Sequence, residues 1–518
     1  MYKRQALVGY QEEDSRFTTF SATRQGHLSD TVQVMDAGDA GTAINSGSET
    51  GWATQSIFGR INYNFNEKFL LEFAVRNDGS SRFSEGNKWG IFPSLSAGYI
   101  LFDESNDQGV IDFLKLRASW GQLGNQNIGN FEYARKLNLN QYYTYGGVAS
   151  PGVGQSSLGN PNLTWEMSTM TNFGLDFNLK NGIYGEFDIY KRNTEDILYN
   201  VGVNPLSGFT TQTQNVGEVE NNGMDLLLGY RGNFGELKFS ASLNISKVKN
   251  KLVAINPQGG DPLEQVILNP SNGSSRILKV GEDLGSFWGY KTGGFIQTAA
   301  ELGNGTPGSP SQVAAATVGD LKYVDVSGDG KIDADDRTVI GTENPSVTWG
   351  MNLNLGYKNF DMTAIVQAVS GWDYLGTRRL WNPIFGKGET INTMWLDSWT
   401  PTNTDSSMPK IFDGNGGSDP LVQGASDFWI HDRSFVRLKN LQIGYTVSLP
   451  ESIPLDFLRI YLNGTNLFTI TDMPLIDPEG INGTAANEVV GPNSEFISNE
   501  GTLFPNLKTF SFGLSARF

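Results

Sequence analysis

The 518-residue sequence contains no cysteine and only two histidines, His27 and His431. Without cysteine there are no disulfides, thiol nucleophiles or cysteine-based metal sites, and the two distant histidines resemble no catalytic pair. No run of about 18 apolar residues occurs, which excludes membrane-spanning helices. The net charge of −17 argues against nucleic acid binding, which requires a concentrated Lys/Arg surface. We therefore expect neither an enzyme nor a nucleic-acid-binding protein.

The last twelve residues alternate between apolar and polar side chains. Because side chains in a strand have a period of two, one face carries only apolar residues, here Phe510, Phe512, Leu514, Ala516 and Phe518. Such a segment is typical of the closing strand of an outer-membrane barrel, whose apolar face contacts lipid. An amphipathic strand of a soluble sandwich has the same pattern, so this segment alone leaves both open.

The same alternation recurs about a dozen times along the chain. The best examples have roughly 9 to 11 residues, enough to cross a bilayer as tilted strands. They include residues 347–357, 237–245, 114–120 and 173–179.

Connection lengths favour the barrel, because short and long connections alternate. Outer-membrane barrels have short periplasmic turns and long extracellular loops, an alternation that a sandwich does not need. We predict an all-β fold, an antiparallel transmembrane β-barrel wall of about 14 strands that begins near Leu7. Short turns are expected near residues 64–68, 181, 233, 358 and 450, and long loops at about 122–164, 195–215, 250–344, 374–433 and 471–505.

The longest predicted loop, 250–344, contains the segment DVSGDGKIDADD at 325–336. Its spacing matches a twelve-residue calcium loop, with Gly330 at the place where the chain turns sharply. The candidate ligands are Asp325, Ser327, Asp329, the Lys331 carbonyl, Asp333 and Asp336. A shorter Asp replaces the usual final Glu, and no helices flank the segment. We predict a structural Ca²⁺ site that braces the loop; the alternative is a metal-free Asx-rich turn.

Aromatic residues in the long loops are candidates for substrate contact, since sugar rings stack their C–H faces on aromatic planes. The alternatives are packing within the loops, contact with a partner protein, or interfacial positions. The candidates are Tyr142, Tyr143, Tyr145, Trp381, Trp395 and Trp399.

Several segments, in this order and spacing, resemble the C-terminal barrel portion of SusC/RagA-type TonB-dependent outer-membrane transporters. Each is weak alone, but the series covers most of the chain. It includes DGSSRF at 78–83, FPSLSAGY at 92–99, LKLRASWGQLGNQ at 114–126, NPNLTWEMSTMTNFGLDF at 160–177, DIYKRNTEDIL at 188–198, NVGEVENNGMDL at 215–226, the aspartate-rich segment and SFVRLKNLQIGY at 434–445.

The resemblance implies active import of an oligosaccharide or a peptide across the outer membrane of a Gram-negative bacterium. It implies a SusD-type surface lipoprotein as partner, a barrel of about 22 strands in outer-membrane lipid, and energy from the TonB complex through an N-terminal plug. We identify neither that plug nor a signal peptide in residues 1–518, and expect the chain to be the later part of a longer barrel.

Two other functions stay open. A passive outer-membrane channel predicts a signal peptide shortly before Leu7 and no plug. A soluble or surface-exposed β-rich glycan-binding adhesin predicts purification without detergent.

Overall fold

The computed structural model describes residues 2–27, 29, 31–32, 34–103, 109–256, 263–268, 276–303, 311–312, 316–376, 393–411, 425–450, 454–474, 476–480 and 506–517. Its strands follow the alternating segments of the sequence. Short 3₁₀ helices lie at Met35–Ala37, Ala40–Thr42, Glu85–Asn87, Pro205–Ser207, Ala299–Leu302, Ala334–Asp336, Thr393–Asp397 and Asp427–Trp429. In this described part, no helix combines the length and the apolar character needed to cross a membrane.

Fourteen strands form one continuous antiparallel sheet, each hydrogen-bonded to its neighbour in sequence. This is the up-and-down order predicted for a barrel wall. The strands are β1 Tyr2–Thr23, β2 Ile44–Phe65, β3 Phe69–Ser80, β4 Trp89–Phe102, β5 Ile111–Asn125, β6 Glu166–Leu179, β7 Ile183–Gly202, β8 Thr211–Phe234, β9 Leu237–Ile255, β10 Val347–Tyr357, β11 Phe360–Ser370, β12 Phe435–Thr446, β13 Phe457–Thr465 and β14 Thr509–Arg517. A short strand, Thr469–Thr471, also pairs with β12.

One face of the sheet is apolar and exposed. Phe69, Leu71 and Phe73 alternate along β3, and Tyr99 and Leu95 of β4 lie opposite Phe69 and Phe73. Exposed apolar side chains in register on neighbouring strands would be unstable in water but favourable against lipid acyl chains. The same face of β14 carries the exposed residues Phe510, Phe512 and Leu514, as predicted, whereas Phe518 lies outside the described residues.

Aromatic rings concentrate at the end of the sheet that has the short turns, called the turn end. The ring centroids of Phe69 and Tyr99 are 4.5 Å apart, and those of Phe360 and Tyr445 are 4.7 Å apart. All four side chains are exposed. Aromatic rings in this position form the girdle that anchors a membrane barrel at the lipid headgroups.

The connections at the turn end span 66–68, 103–110, 180–182, 235–236, 358–359 and 447–456. The opposite end, called the loop end, carries most of the remaining chain. Its connections are 24–43, 81–88, 126–165, 203–210, 256–346, 371–434 and 466–508. The predicted alternation of short and long connections is therefore largely present.

The predicted loop at 195–215 is wrong. β7 and β8 extend through most of it, and only residues 203–210 connect them. Polar side chains pair across these two strands, for example Thr213 Oγ1 with Asn200 Oδ1 at 2.6 Å. Such polar pairs remove the apolar alternation on which the prediction relied. For the same reason β9 continues to Ile255, so that the longest loop spans 256–346 rather than 250–344.

The long loops contain small sheets of their own. The 256–346 loop has a four-stranded sheet, Gln265–Leu268, Arg276–Lys279, Ser286–Gly289 and Thr338–Thr342, and a pair formed by Thr292–Phe295 and Leu321–Tyr323. In the 371–434 loop Asp373–Leu375 pairs with Ile430–Asp432, and in the 126–165 loop Leu137–Tyr145 pairs with Val148–Gln155.

A buried apolar cluster joins the 256–346 loop to the 371–434 loop. We call it the loop core; it consists of Phe287, Leu321, Tyr323, Ile332, Leu375, Trp395, Met408, Ala425 and Trp429. Within it, the ring centroids of Trp395 and Trp429 lie 6.4 Å apart. Because both loops contribute buried side chains, they fold as one unit at the loop end.

Candidate functional site

The face of the sheet opposite the apolar one carries the polar side chains that line a barrel lumen. Lys115 and Arg117 of β5 extend from this face toward Asp176 of β6. Arg117 also forms an ion pair with Asp188 of β7. These two cations and two carboxylates balance, so this part of the wall is polar without an excess of charge of one sign.

Two of the predicted substrate-contact tryptophans are buried. Trp395 is 2% exposed in the loop core, and Trp399 is 6% exposed. The Trp399 indole N–H donates to Gln297 Oε1 at 3.0 Å. Neither ring presents a free face to a ligand, which favours packing, the alternative that the sequence left open. Trp381 lies outside the described residues.

The three predicted tyrosines lie on the hairpin formed by Leu137–Tyr145 and Val148–Gln155. Tyr142, Tyr143 and Tyr145 are 68%, 73% and 78% exposed. Alternation places Tyr143 and Tyr145 on one face of their strand and Tyr142 on the other. These rings are accessible to a ligand or a partner, so their role in substrate contact stays a prediction.

The aspartate-rich segment folds as a compact loop. Asp325 Oδ2 accepts the Gly330 N–H at 2.9 Å, and Gly330 has the positive φ of +86° that the sharp turn requires. Asp336 is fully buried and accepts backbone N–H groups from Val326, Ser327 and Asp333 at 2.8–3.0 Å. The segment is joined to the loop core through the buried Ile332.

Residues 325–336 carry five aspartates and one lysine, so the loop is strongly acidic. Burial opposes ionisation of Asp336, but the backbone N–H groups of Ser327, Asp333 and Val326 outweigh that effect and hold its pKa below its usual value. The Lys331 ammonium lies 3.1 Å from Asp329 and 3.1 Å from Asp333. These two carboxylates raise the pKa of Lys331.

The calcium prediction is chemically reasonable, because carboxylate, hydroxyl and carbonyl oxygens are the ligands that Ca²⁺ prefers. In the conformation described, however, the carboxylate oxygens already accept hydrogen bonds from backbone N–H groups or form ion pairs with Lys331. No group of three or more His, Cys, Asp or Glu side chains is placed to hold a metal ion in the described ranges. Calcium binding would need a rearrangement of the loop and stays a prediction.

A feature that sequence reasoning missed is a cavity of about 1200 Å³ at the loop end of β7, β8 and β9. Residues of the 256–346 loop, including Arg276, Leu278 and Glu343, complete its wall. Its lining comes from segments between residues 197 and 346, which are brought together only by the fold. No local sequence signal could have revealed it.

An up-and-down sheet with an apolar outer face, a polar inner face and loops elaborated at one end defines the wall of an outer-membrane β-barrel. The chain belongs to the TonB dependent receptor-like β-barrel family, which matches residues 3–467. This membership and its relatives confirm the resemblance to SusC/RagA-type transporters and place the chain in the outer membrane of a Gram-negative bacterium.

Two curated relatives illustrate the similarity. The chain is 34% identical over 479 residues to TonB-dependent receptor P3 of Formosa agariphila, covering 89% of this chain and 45% of that protein. It is 30% identical over 500 residues to TonB-dependent receptor SusC of Bacteroides thetaiotaomicron, covering 91% of this chain and 44% of that protein.

Among solved structures, the RagAB peptide importer in its open-open state is similar with a TM-score of 0.79 and 26% identity, covering all of this chain and 53% of the matched chain. The chain therefore spans about half the length of the relatives that it matches.

Proposed function

We propose that the chain forms barrel wall and extracellular loops of a TonB-dependent importer that takes up an oligosaccharide or a peptide with a SusD-type surface lipoprotein. The match to the receptor family over residues 3–467 carries this proposal. The RagAB peptide importer is a similar structure, and it supports a large organic substrate over a simple ion. The family is one of transporters, which supports a role without catalysis.

The division of the sheet into two faces supports transport rather than adhesion. An adhesin soluble in water has no need for the exposed apolar rows on β3, β4 and β14. A lumen-facing wall with paired charges, such as Arg117 with Asp188, gives a hydrated path. Loops with a core of their own, at the other end, can bind substrate before it enters.

The tyrosine hairpin is the accessible surface that we propose for contact with the substrate or with the lipoprotein partner. Its strands carry no charged residue between Leu137 and Gln155, so recognition there depends on aromatic and apolar contact. Because these rings are exposed, their removal should leave the fold intact.

Uptake by the native bacterium tests the proposal. Deletion of the gene should abolish growth on the cognate oligomer, and deletion of tonB should have the same effect. Uptake that continues without TonB would instead indicate a passive channel, and an unchanged growth profile in the deletion strain would contradict import altogether.

Paired variants test the tyrosine hairpin. Tyr143→Ala with Tyr145→Ala removes one aromatic face, and Tyr142→Ala removes the ring on the other. We expect the double variant to weaken substrate or lipoprotein binding by about tenfold, close to the effect of losing one or two buried aromatic contacts. Equal binding by all variants would exclude the hairpin from the site.

A further inference from the structure

The cavity at the loop end of β7, β8 and β9 lies apart from the predicted tyrosine hairpin and the loop core tryptophans. Its volume of about 1200 Å³ exceeds the range of roughly 300–1,000 Å³ that is usual for small-molecule sites. It is therefore large enough for several residues of an oligomer. Strand ends form one wall, and the 256–346 loop forms the other.

The wall of the cavity is mainly aliphatic. The accessible part of this wall comes from the partly buried side chains of Ile197, Leu278 and Leu284 and from Leu263, which is 37% exposed. Ile197, Leu278 and Leu284 pack against the buried cluster of Val219, Leu252 and Ile255. Tyr199 is the one aromatic residue among the described residues of the lining. A sugar ring needs a flat aromatic plane to stack on, and this wall provides branched aliphatic surface instead.

The polar groups of the lining are directed at each other. Asn250 Nδ2 donates to Asn221 Oδ1 at 2.7 Å, and Asn250 Oδ1 accepts the Leu284 N–H at 3.1 Å. Arg276 forms an ion pair with Glu343. Asp283 also lines the cavity, and its carboxylate accepts the Gly285 N–H at 2.8 Å and a hydrogen bond from the Asn344 amide. The polar groups of the lining are thus already partnered, and the uncharged amide backbone of a peptide can lie beside them.

A fatty acid would fit the aliphatic wall but needs a cation for its carboxylate. Lys247 and Lys249 also line the cavity. Alternation along β9 places their side chains on the face opposite Asn250 and Leu252, and both lysines are exposed. Their ammonium groups therefore do not lie beside the aliphatic wall, where the carboxylate of a fatty acid would need them.

We propose that this cavity binds aliphatic side chains of an extended peptide, with the asparagine amides beside the peptide backbone. The inference rests on the proposed import function and specifies its substrate class at a site that the aromatic candidates do not include. Apolar side chains would be removed from water in the cavity, while the peptide amides keep polar neighbours.

Isothermal titration calorimetry tests this inference. The protein is expressed from its native locus, so that it contains all the sequence that its gene encodes, and it is held in lipid nanodiscs. The probes are a doubly blocked heptapeptide in which leucine alternates with glycine, the same peptide with serine for leucine, dodecanoate and maltoheptaose. We expect the leucine peptide to bind at least tenfold more tightly than the serine peptide.

The variants are Leu263→Asp and, as a matched control, Val280→Asp. Leu263 lines the cavity and is 37% exposed, whereas Val280 is 40% exposed on the same loop and is not part of the lining. Both changes place a charge at an exposed aliphatic position, so both variants should fold. Leu263→Asp should weaken binding of the leucine peptide at least tenfold, and Leu263→Ser should weaken it less. Val280→Asp should change the affinity less than twofold.

Three results would overturn the inference. The first is that the leucine peptide does not bind. The second is that Leu263→Asp and Val280→Asp weaken its binding equally. The third is that dodecanoate or maltoheptaose binds and that Leu263→Asp abolishes this binding. TonB-dependent uptake of a glycan together with any of these would leave the import function standing, so the two failures are distinguishable.

Discussion

Arg117 of β5 and Asp188 of β7 form a bidentate ion pair across an intervening strand. Nη1 lies 2.9 Å from Oδ1, and Nη2 lies 2.7 Å from Oδ2. Between them, in register with both, is Gly174 of β6. The missing side chain leaves the space through which the guanidinium reaches, so that three strands are joined by one pair of residues.

The first prediction concerns Gly174. A Cβ at this position would lie 2.5 Å from Asp188 Oδ1 and 2.6 Å from Arg117 Cζ. Gly174→Ala should therefore displace the ion pair and lower the free energy of unfolding by about 1–3 kcal/mol. Urea unfolding in liposomes measures this change. Gly356→Ala is the control, because its nearest neighbour would be 3.6 Å away; equal unfolding midpoints for the two variants would refute the prediction.

The second prediction concerns Arg437 of β12, which is 2% exposed. Its Nη2 lies 2.7 Å from Asp477 Oδ1, and it also forms an ion pair with Glu479. These ion pairs link the connection between β13 and β14 to β12. Arg437→Met would leave the largely buried Asp477 without its ion-pair partner, whereas Glu479 would keep Lys439. We expect a loss of about 3–5 kcal/mol in unfolding free energy.

Lys3→Met is the matched control for Arg437. Lys3 pairs with Glu67 at 3.4 Å, with both side chains more than 60% exposed, so its loss should change stability by less than about 1 kcal/mol. Similar unfolding curves for the two variants would show that the buried pair adds no more than the exposed one.

The third prediction concerns calcium. If residues 325–336 bind Ca²⁺, terbium luminescence should show saturable binding that calcium displaces, and Asp325→Asn with Asp329→Asn should weaken it. Asp335→Asn, outside the predicted ligand set, serves as the control. Lys331→Met should strengthen binding, because it removes the ammonium that lies between Asp329 and Asp333 while retaining the backbone carbonyl. No binding by any of these proteins would establish a metal-free turn.

The fourth prediction concerns pH. Burial lowers the pKa of His431 from 6.5 to about 4, because the folded loop disfavours the charged imidazole. The unfolded chain therefore binds the proton more readily, and the contribution of His431 to stability is complete above about pH 6.5 and is lost as the pH falls toward 4. The loss should reach up to about 3 kcal/mol.

Unfolding midpoints at about pH 7.5 and about pH 4.5 measure this effect. His431→Gln should reduce the difference between the two midpoints, whereas His27→Gln, at an exposed position, should not. A wild-type difference that persists in His431→Gln would assign the pH dependence to other groups.

Local alternation was enough to predict the barrel strands. Val347–Tyr357 has the predicted bounds, because one face is apolar throughout and the other polar throughout. The predicted strand ends were wrong where strands extend beyond their apolar residues, as at Asn200 and Thr213. Polar cross-strand pairs there have no periodic signature in the sequence.

The loop end was less predictable for a different reason. Trp395 looks like any loop aromatic in the sequence, but it is buried in a cluster that also contains Phe287 and Tyr323 from the preceding long loop. The cavity wall likewise combines Val216 of β8 with Leu278 of the loop. Contacts between residues far apart in sequence decide which aromatics are available, and one sequence does not encode them in any local pattern.

The loop core has a consequence for how new substrate preferences can arise in this chain. Ile332 belongs to one loop and Trp395 to the next, and both are buried in the cluster that the two loops form together. Exchanging either loop with a relative would leave half of an apolar interface facing water. The two loops are therefore a single unit of inheritance, which recombination or protein engineering must transfer together.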